Sequence, residues 1–319
     1  MLVIYDPTHL LHNPTIELYD GVATPSPEVP DRIEVIREAL IRIPELNWKS
    51  PNKFNDDQAL SLHSAHYIEY LRSSSNNLAP DQECVTSNYI HDTYAPISTG
   101  TWVAARSALD SAITGAHSLL KREDERIYVL CRPPGHHAGD SYMGGYCFFN
   151  NAGAAANLLS TSGRVAVLDI DYHHGNGTQD LFYDREDVLY VSVHANPANN
   201  YPYTNGFEDE QGVGAGFGYN KNIVLDKNCG WDIYKKSFEK ALETVSTYRP
   251  DYLVVSLGFD GYKDDPIAGF SLSVENFGQI AKAINELNLP TLLVQEGGYC
   301  IEKLGTLAET VVANFNIKS

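Results

Sequence analysis

Leu168-Asp169-Ile170-Asp171-Tyr172-His173-His174-Gly175-Asn176-Gly177 follows an apolar run, Arg164-Val165-Ala166-Val167-Leu168. The run is short, rich in β-branched residues and preceded by Gly163, so it reads as a buried strand. It then turns polar. Asp169, Asp171 and His173 alternate, and while the backbone stays extended they share one face. A carboxylate and an imidazole two residues apart can grip one metal ion. In open α/β sheets, ligands bind at the C-terminal ends of the strands. Gly175 and Gly177 let the chain turn away.

Working outward, apolar strands alternate with helical patterns along the chain. Leu2–Tyr5 predicts a first strand. Residues 6–30, with Pro7, Pro14, Gly21, Pro25, Pro27 and Pro30, predict a long polar loop, and loops of that length are usually functional. Asp31 is expected to cap a helix over residues 32–43. Residues 57–71 look helical and 72–95 look like loop. An Ala-rich helix is expected over 99–121, and further helices over 149–159, 178–183, 231–248, 274–287 and at the C-terminus. Strands are expected at 126–131, 188–193, 223–225, 251–257 and 291–294, with a Gly-rich loop at 196–218. Strands that read as near-continuous apolar runs between helices signal a parallel sheet covered on both faces. No repeat or composition break divides the chain, which reads as one α/β domain over residues 1–319.

Four of these strands end in reactive residues: His136 and His137 in a Pro-Gly turn, Asp169 to His173, Asp260, and Tyr299 after Gly297-Gly298. Parallel strands would bring them to one edge. Asp171, His173 and Asp260 would then form a two-carboxylate, one-imidazole metal site with positions open for water and substrate. Zinc accepts such ligands, and so do iron and manganese. Each residue alone also fits a capping or hydrogen-bonding role; the joint pattern favours the metal. Asp169, and Ser192 at the end of the next strand, suit a supporting anchor, a second cation or ordinary buried hydrogen bonding. Adjacent histidines point to different sides, so His136 and His137 are expected to do different jobs, with a base acting on metal-bound water the sharper assignment. Tyr299 at a strand end suits hydrogen bonding to a developing oxyanion.

The 319 residues carry a formal net charge of −18. That argues against a nucleic-acid partner and is compatible with a cationic substrate or with solubility alone. The five cysteines are scattered, with no CxxC pair, which suggests reduced thiols in a cytoplasmic protein. The N-terminus has no signal-peptide pattern, and no apolar stretch is long enough to span a membrane, so no membrane partner is expected.

Arg132-Pro133-Pro134-Gly135-His136-His137-Ala138, Asp169-Ile170-Asp171-Tyr172-His173-His174-Gly175-Asn176-Gly177-Thr178, Leu257-Gly258-Phe259-Asp260 and Glu296-Gly297-Gly298-Tyr299, in that order, resemble the arginase/deacetylase superfamily. The resemblance is to its zinc-dependent histone deacetylase branch, and within that to bacterial acetylpolyamine amidohydrolases, whose N-terminal loop is similar to Asn13–Gly21 here. It implies a three-layer α/β sandwich around an eight-stranded parallel sheet. It implies one catalytic Zn²⁺ on Asp171, His173 and Asp260, with His137 as base and then acid, His136 as electrostatic aid and Tyr299 polarising the acetyl carbonyl. It also implies a structural K⁺ held by Asp169, Ser192 and backbone carbonyls including that of Val193. Tyr146 and Tyr201, with Gly145 beside them, match the wall of the family's substrate channel. Glu17, and less securely Asp92, match acids that orient substrate. The implied reaction is deacetylation of a small cationic acetylated amine by a homodimer. The alternative substrate is acetyllysine in protein. A one-His, two-carboxylate iron oxygenase is disfavoured by the His136-His137 pair, and a non-catalytic amide-binding module by the complete set of ligands and Tyr299.

Overall fold

The computed structural model describes residues 1–315, so the last four residues of the expected 1–319 domain lie outside the described residues. In chain order the strands are β1 (Leu2–Ile4), β2 (Ile16–Tyr19), β3 (Val22–Pro25), β4 (Asn47–Lys49), β5 (Glu83–Cys84), β6 (Ile97–Ser98), β7 (Arg126–Val129), β8 (Val165–Asp169), β9 (Val188–Ala195), β10 (Asn220–Leu225), β11 (Tyr252–Leu257) and β12 (Thr291–Gln295). The helices are α1 (Asp31–Leu40), α2 (Asp56–Ala59), α3 (Ala65–Asn76), α4 (Thr101–Leu120), α5 (Asn151–Ser160), α6 (Asn176–Phe182), α7 (Trp231–Tyr248), α8 (Val274–Glu286) and α9 (Ile301–Phe315).

Eight strands pair in the order β10-β9-β8-β11-β12-β7-β1-β4, and every neighbouring pair is parallel. Successive side chains of a strand point to opposite faces, and the core divides accordingly. Ala166 and Leu168 of β8 pack with α1, α7, α8 and α9. Val165 and Val167 pack with the small residues of α4 and α5, including Ala112, Ala116, Ala152 and Ala155, and with Phe182 of α6. The result is the expected three-layer α/β sandwich.

The chain's route through the sheet places the site. From β8 it moves outward to β9 and β10, then returns to pair β11 with the opposite side of β8. The order reverses between β8 and β11, and ligands bind outside the strand ends at such a reversal.

Several local expectations are corrected. The segment from residue 6 to 30 contains a 3₁₀ turn at Pro7–Leu11 and the β2–β3 hairpin. Its polar, proline-rich composition hid a two-stranded ribbon only four residues long per strand. Asp31 is the first residue of α1 rather than its cap; Pro30 stands at the cap and makes no side-chain bond. The helix expected over 57–71 is broken into α2 and α3, because Ser64 starts a new N-terminus by accepting from the Tyr67 N–H. Helix α3 then continues to Asn76 through a serine run read as loop, with Ser75 fully buried and donating to the Ser98 and Thr99 carbonyls. The edge strand β4 was not anticipated. Its sequence, Asn47-Trp48-Lys49, is too short and polar to signal a strand, and it exists through pairing with β1. Among the described residues no helix is long and apolar enough to cross a membrane.

One buried histidine links this packing to pH. The Nδ1–H of His63 donates to the Gly139 carbonyl (2.8 Å), and its Nε2 accepts from the Asn150 N–H (3.1 Å). The bond from Asn150 needs the neutral ring, because a protonated Nε2 cannot accept. Burial lowers its pKa from 6.5 to about 4, against the opposing pull of the Gly139 bond. As the pH falls from 6.5 to about 4, the unfolded chain takes a proton that the folded one refuses. Stability is therefore complete above that window and declines within it, by about 3 kcal/mol at most. Urea unfolding across the window is expected to show this decline, with a shallower slope in His63→Gln. Equal slopes would assign the acid sensitivity to other groups.

Candidate active site

Asp171 and His173 leave the end of β8 and Asp260 leaves the end of β11. One ligand atom from each lies within 4.8 Å of the others. The Nδ1 of His173 faces both carboxylates, 2.9 Å from Asp260 Oδ2 and 3.4 Å from Asp171 Oδ1. Both aspartates are fully buried. Burial raises the Asp260 pKa to about 7, and the neighbouring Asp171 charge adds to this. Burial opposes ionisation of Asp171 too, but His136 and His173 hold its pKa well below the usual range. Burial likewise pulls His173 down, and the two carboxylates overcome it, raising that ring to about 9. These groups converge on one space, and a cation there would satisfy all three at once. A carboxylate–carboxylate–imidazole donor set with converging atoms fits Zn²⁺. Approach this close requires glycine at 258, where a Cβ would collide with the Asp171 carboxylate.

The adjacent histidines are held by different partners. His136 Nδ1 lies 3.0 Å from Asp169 Oδ2. Burial lowers its pKa, but Asp169 and Asp171 overturn that and raise it to about 10. His137 Nδ1 lies 2.7 Å from the amide oxygen of Asn176, an acceptor, so Nδ1 carries the hydrogen and Nε2 keeps its lone pair. Burial, then the nearby His136 and His173, hold His137 far below its ordinary pKa. A neutral ring with a free lone pair can take a proton.

Tyr299 stands on the last strand-end turn. Its N–H donates to Asp265 Oδ2 (2.7 Å), and the Arg32 guanidinium lies 4.5 Å over its ring. Arg32 also donates to the carbonyls of Gly298 (2.6 Å) and Glu296 (2.7 Å), which fixes the turn. Glu28 bonds both Arg32 (2.6 Å) and Arg132 (2.9 Å), and Arg132 reaches the carbonyls of His9 and His12. The N-terminal segment is thereby fastened to the loops that carry His136, His137 and Tyr299.

These residues open into a pocket of about 230 Å³ whose walls include Glu17, Tyr19, Tyr94, Gly145, Tyr146, Tyr201 and Tyr203. Tyr201 meets His137 edge-on at 4.7 Å, and Tyr146 lies 5.7 Å from Tyr299. Glu17, on β2, shares the pocket wall with Tyr146, and its Oε2 is buried without a hydrogen-bond partner. Burial raises its pKa and the charge of Asp92 adds to this. Asp92 itself does not line the pocket. It accepts from the Tyr94 N–H (2.7 Å), the Gly145 N–H (3.0 Å) and the Tyr201 hydroxyl (2.5 Å), so it braces the wall from behind. Lys227 also borders the pocket, so the rim is not uniformly acidic.

Asp169 and Ser192 are paired across β8 and β9 and are fully buried. Asp169 accepts from the Tyr190 hydroxyl and the Asp171 N–H, and Ser192 bonds His194 Nδ1; Val193 is the next residue of β9. The sequence reading missed Asn176, Glu28, Arg32 and the rim tyrosines 19, 94 and 203. Asn176 stood in the opening motif between two glycines and was read only as part of a turn. Tyr19 stood in the Asn13–Gly21 loop without being singled out, and the fold brings the others in.

Residues 26–315 match the family described as histone deacetylase domain. The chain is 39% identical to acetylpolyamine amidohydrolase 1 of Pseudomonas aeruginosa, covering 99% of each chain. It is 34% identical to histone deacetylase 8 of Arabidopsis thaliana over 86% of this chain and 74% of that one. A crystal structure of an acetylpolyamine aminohydrolase from Burkholderia pseudomallei superposes with a TM-score of 0.94 at 35% identity, covering 99% of this chain and 98% of that one.

Gly145 carries a φ of +49° and presses on the His137 ring, where a Cβ would clash. Gly145→Ala is expected to displace the His137 ring and lower kcat for an acetylated amine about 100-fold, with the circular dichroism spectrum unchanged. Undiminished kcat would mean that His137 tolerates the displacement.

Proposed function

This chain belongs to the histone deacetylase domain family and is a deacetylase, and we propose that its substrates are acetylpolyamines and its catalytic metal zinc. The observation that carries the substrate is the partnerless buried oxygen of Glu17 in a tyrosine-lined pocket. A carboxylate whose pKa is raised by burial and by a neighbouring acid gains most from a nearby cation. Tyrosine faces add attraction for an ammonium group. An acetylated polyamine brings a second ammonium to that wall. The backbone of an acetyllysine protein does not. The relatives named for acetylpolyamines match over nearly the whole of both chains.

Zinc would sit on Asp171, His173 and Asp260, supplying a Lewis acid that acidifies bound water and polarises the acetyl carbonyl. The rest of the chemistry falls to the chain. The Nε2 of His137, kept neutral by its surroundings, takes the proton of the attacking water. The same nitrogen then gives it to the departing amine. His136, charged against Asp169, favours negative charge at the reacting centre. The Tyr299 hydroxyl donates to the oxygen of the tetrahedral intermediate. Tyr146 and Tyr201 wall the acyl chain away from water. Asp92 acts through Tyr201 and Gly145 rather than on substrate.

We further propose that Asp169, Ser192 and the Val193 carbonyl hold a structural K⁺, and that the enzyme is a cytoplasmic homodimer. Free thiols at all five cysteines fit that compartment. Exposed Leu10, Leu11, Tyr19 and Val22 on the N-terminal segment offer an apolar face for dimer contact.

The zinc-loaded protein should be assayed for kcat/KM on N-acetylputrescine, N8-acetylspermidine and an acetyllysine peptide. The polyamines are expected to be preferred. Glu17→Gln should reduce that preference about 10- to 100-fold while leaving peptide turnover nearly unchanged. Tyr299→Phe should lower kcat about 100- to 1,000-fold on every substrate, and a chelator should abolish turnover until zinc is restored. Equal or better turnover of the peptide by the unaltered enzyme would make this a protein lysine deacetylase.

A further inference from the structure

Behind the catalytic histidines lies a second constellation of metal-binding side chains. His136, Cys147 and Glu296 each offer one ligand atom, and these atoms all lie within 4.8 Å of one another. The residues come from three segments: the turn after β7, the stretch leading into α5, and the end of β12. All three are buried.

Their hydrogen bonds leave a donor atom over at each. Glu296 Oε2 accepts from the N–H groups of Gly135 (2.6 Å) and His136 (3.2 Å), while Oε1, equally buried, has no partner. His136 Nδ1 is taken by Asp169, which leaves Nε2. Cys147 Sγ makes only a weak contact, 3.4 Å from the Gly145 carbonyl. Buried polar atoms are ordinarily satisfied, so the Glu296 oxygen calls for a ligand. Sulfur, imidazole and carboxylate together form a donor set suited to zinc and to softer ions of the same charge. With thiolate and carboxylate as its two anionic ligands, a divalent ion there would be neutralised. A hydrogen bond from the far nitrogen of a ligating imidazole to a carboxylate, as Asp169 provides, is the usual support for such a ligand.

We propose that His136, Cys147 and Glu296 form an inhibitory binding site for a thiophilic divalent cation, Cd²⁺ or excess Zn²⁺. Occupancy and turnover exclude one another. His136 belongs to the catalytic set, and its Nε2 lies 3.8 Å from Asp171 Oδ1. A cation on that nitrogen removes the imidazole from the reaction and adds positive charge next to the first metal site. The two sites differ in chemistry, because the Asp171–His173–Asp260 set contains no sulfur.

That difference supplies the test. The zinc-loaded enzyme, with the partly accessible Cys84 and Cys300 changed to serine, is titrated with Cd²⁺. Bound metal is counted by mass spectrometry after dialysis. The thiolate-to-cadmium ultraviolet charge-transfer band and the rate are followed together. One equivalent of Cd²⁺ is expected to bind with retention of zinc, to produce the band, and to abolish turnover in step. In Cys147→Ser the band should vanish. In Glu296→Gln, which keeps the thiol, Cd²⁺ should bind about tenfold or more weakly. Cd²⁺ that displaces zinc with no charge-transfer band overturns the proposal, as does a band that survives in Cys147→Ser. Should Cys147→Ser fail to fold, unchanged Cd²⁺ affinity in Glu296→Gln overturns it.

Discussion

Two fully buried carboxylates, Asp171 and Asp260, are held against one another at the ends of neighbouring strands. Like charges this close, away from water, are unfavourable unless something positive lies between them. Among the described residues no lysine or arginine pairs with either. Compensation comes from the His173 and His136 rings and from backbone N–H groups: Gly297 to Asp171 at 2.9 Å, and Tyr172 to Asp260 at 2.9 Å. The reversal of strand order between β8 and β11 opens the space, and glycine at 258 lets the backbone approach. The sheet, the turns and the histidines are arranged around a deficit of positive charge that a divalent cation would fill.

The second constraint is the buried triad of Arg132, Glu28 and Arg32. Burial disfavours the Glu28 charge, but the two guanidiniums keep it ionised, below its ordinary range. Such groups stabilise little compared with well-packed apolar residues, yet losing one leaves an uncompensated buried charge. Their value here is positional. Through carbonyls at His9, His12, Glu296 and Gly298 they join a segment with little regular structure to two strand-end turns. Tyr299 and Glu17 therefore keep a set relation, although they sit on opposite ends of the chain.

The architecture was readable because β8, β9, β11 and β12 are continuous apolar runs, which only a sheet buried on both faces accommodates. The convergence of Asp171, His173 and Asp260 was legible because the ends of parallel strands meet at one edge whatever their order, so these residues could be grouped before that order was known. Where packing decides, the sequence was silent. Asn47-Trp48-Lys49 is a strand only because β1 offers an edge, and Ser75 lies in a helix because α4 covers it. Asp92 shows the same limit: the family resemblance matched it to an acid that orients substrate, and here it makes three hydrogen bonds to the pocket wall. Asn176 was visible in the motif, but its role depends on which nitrogen of His137 it meets.

The N-terminal hairpin changes what counts as the catalytic unit. The match to the histone deacetylase domain begins at residue 26, after β2 and β3. Yet Glu17 and Tyr19 are pocket walls, and His9 and His12 hold a buried guanidinium through their carbonyls. A boundary drawn at residue 26 would keep every residue proposed to take part in hydrolysis and discard one side of the pocket around them. Conversely, the segment contributes wall but none of the residues proposed to react. In this chain the wall at Glu17 and Tyr19 can therefore be altered without touching His136, His137, Tyr299 or the Asp171–His173–Asp260 set.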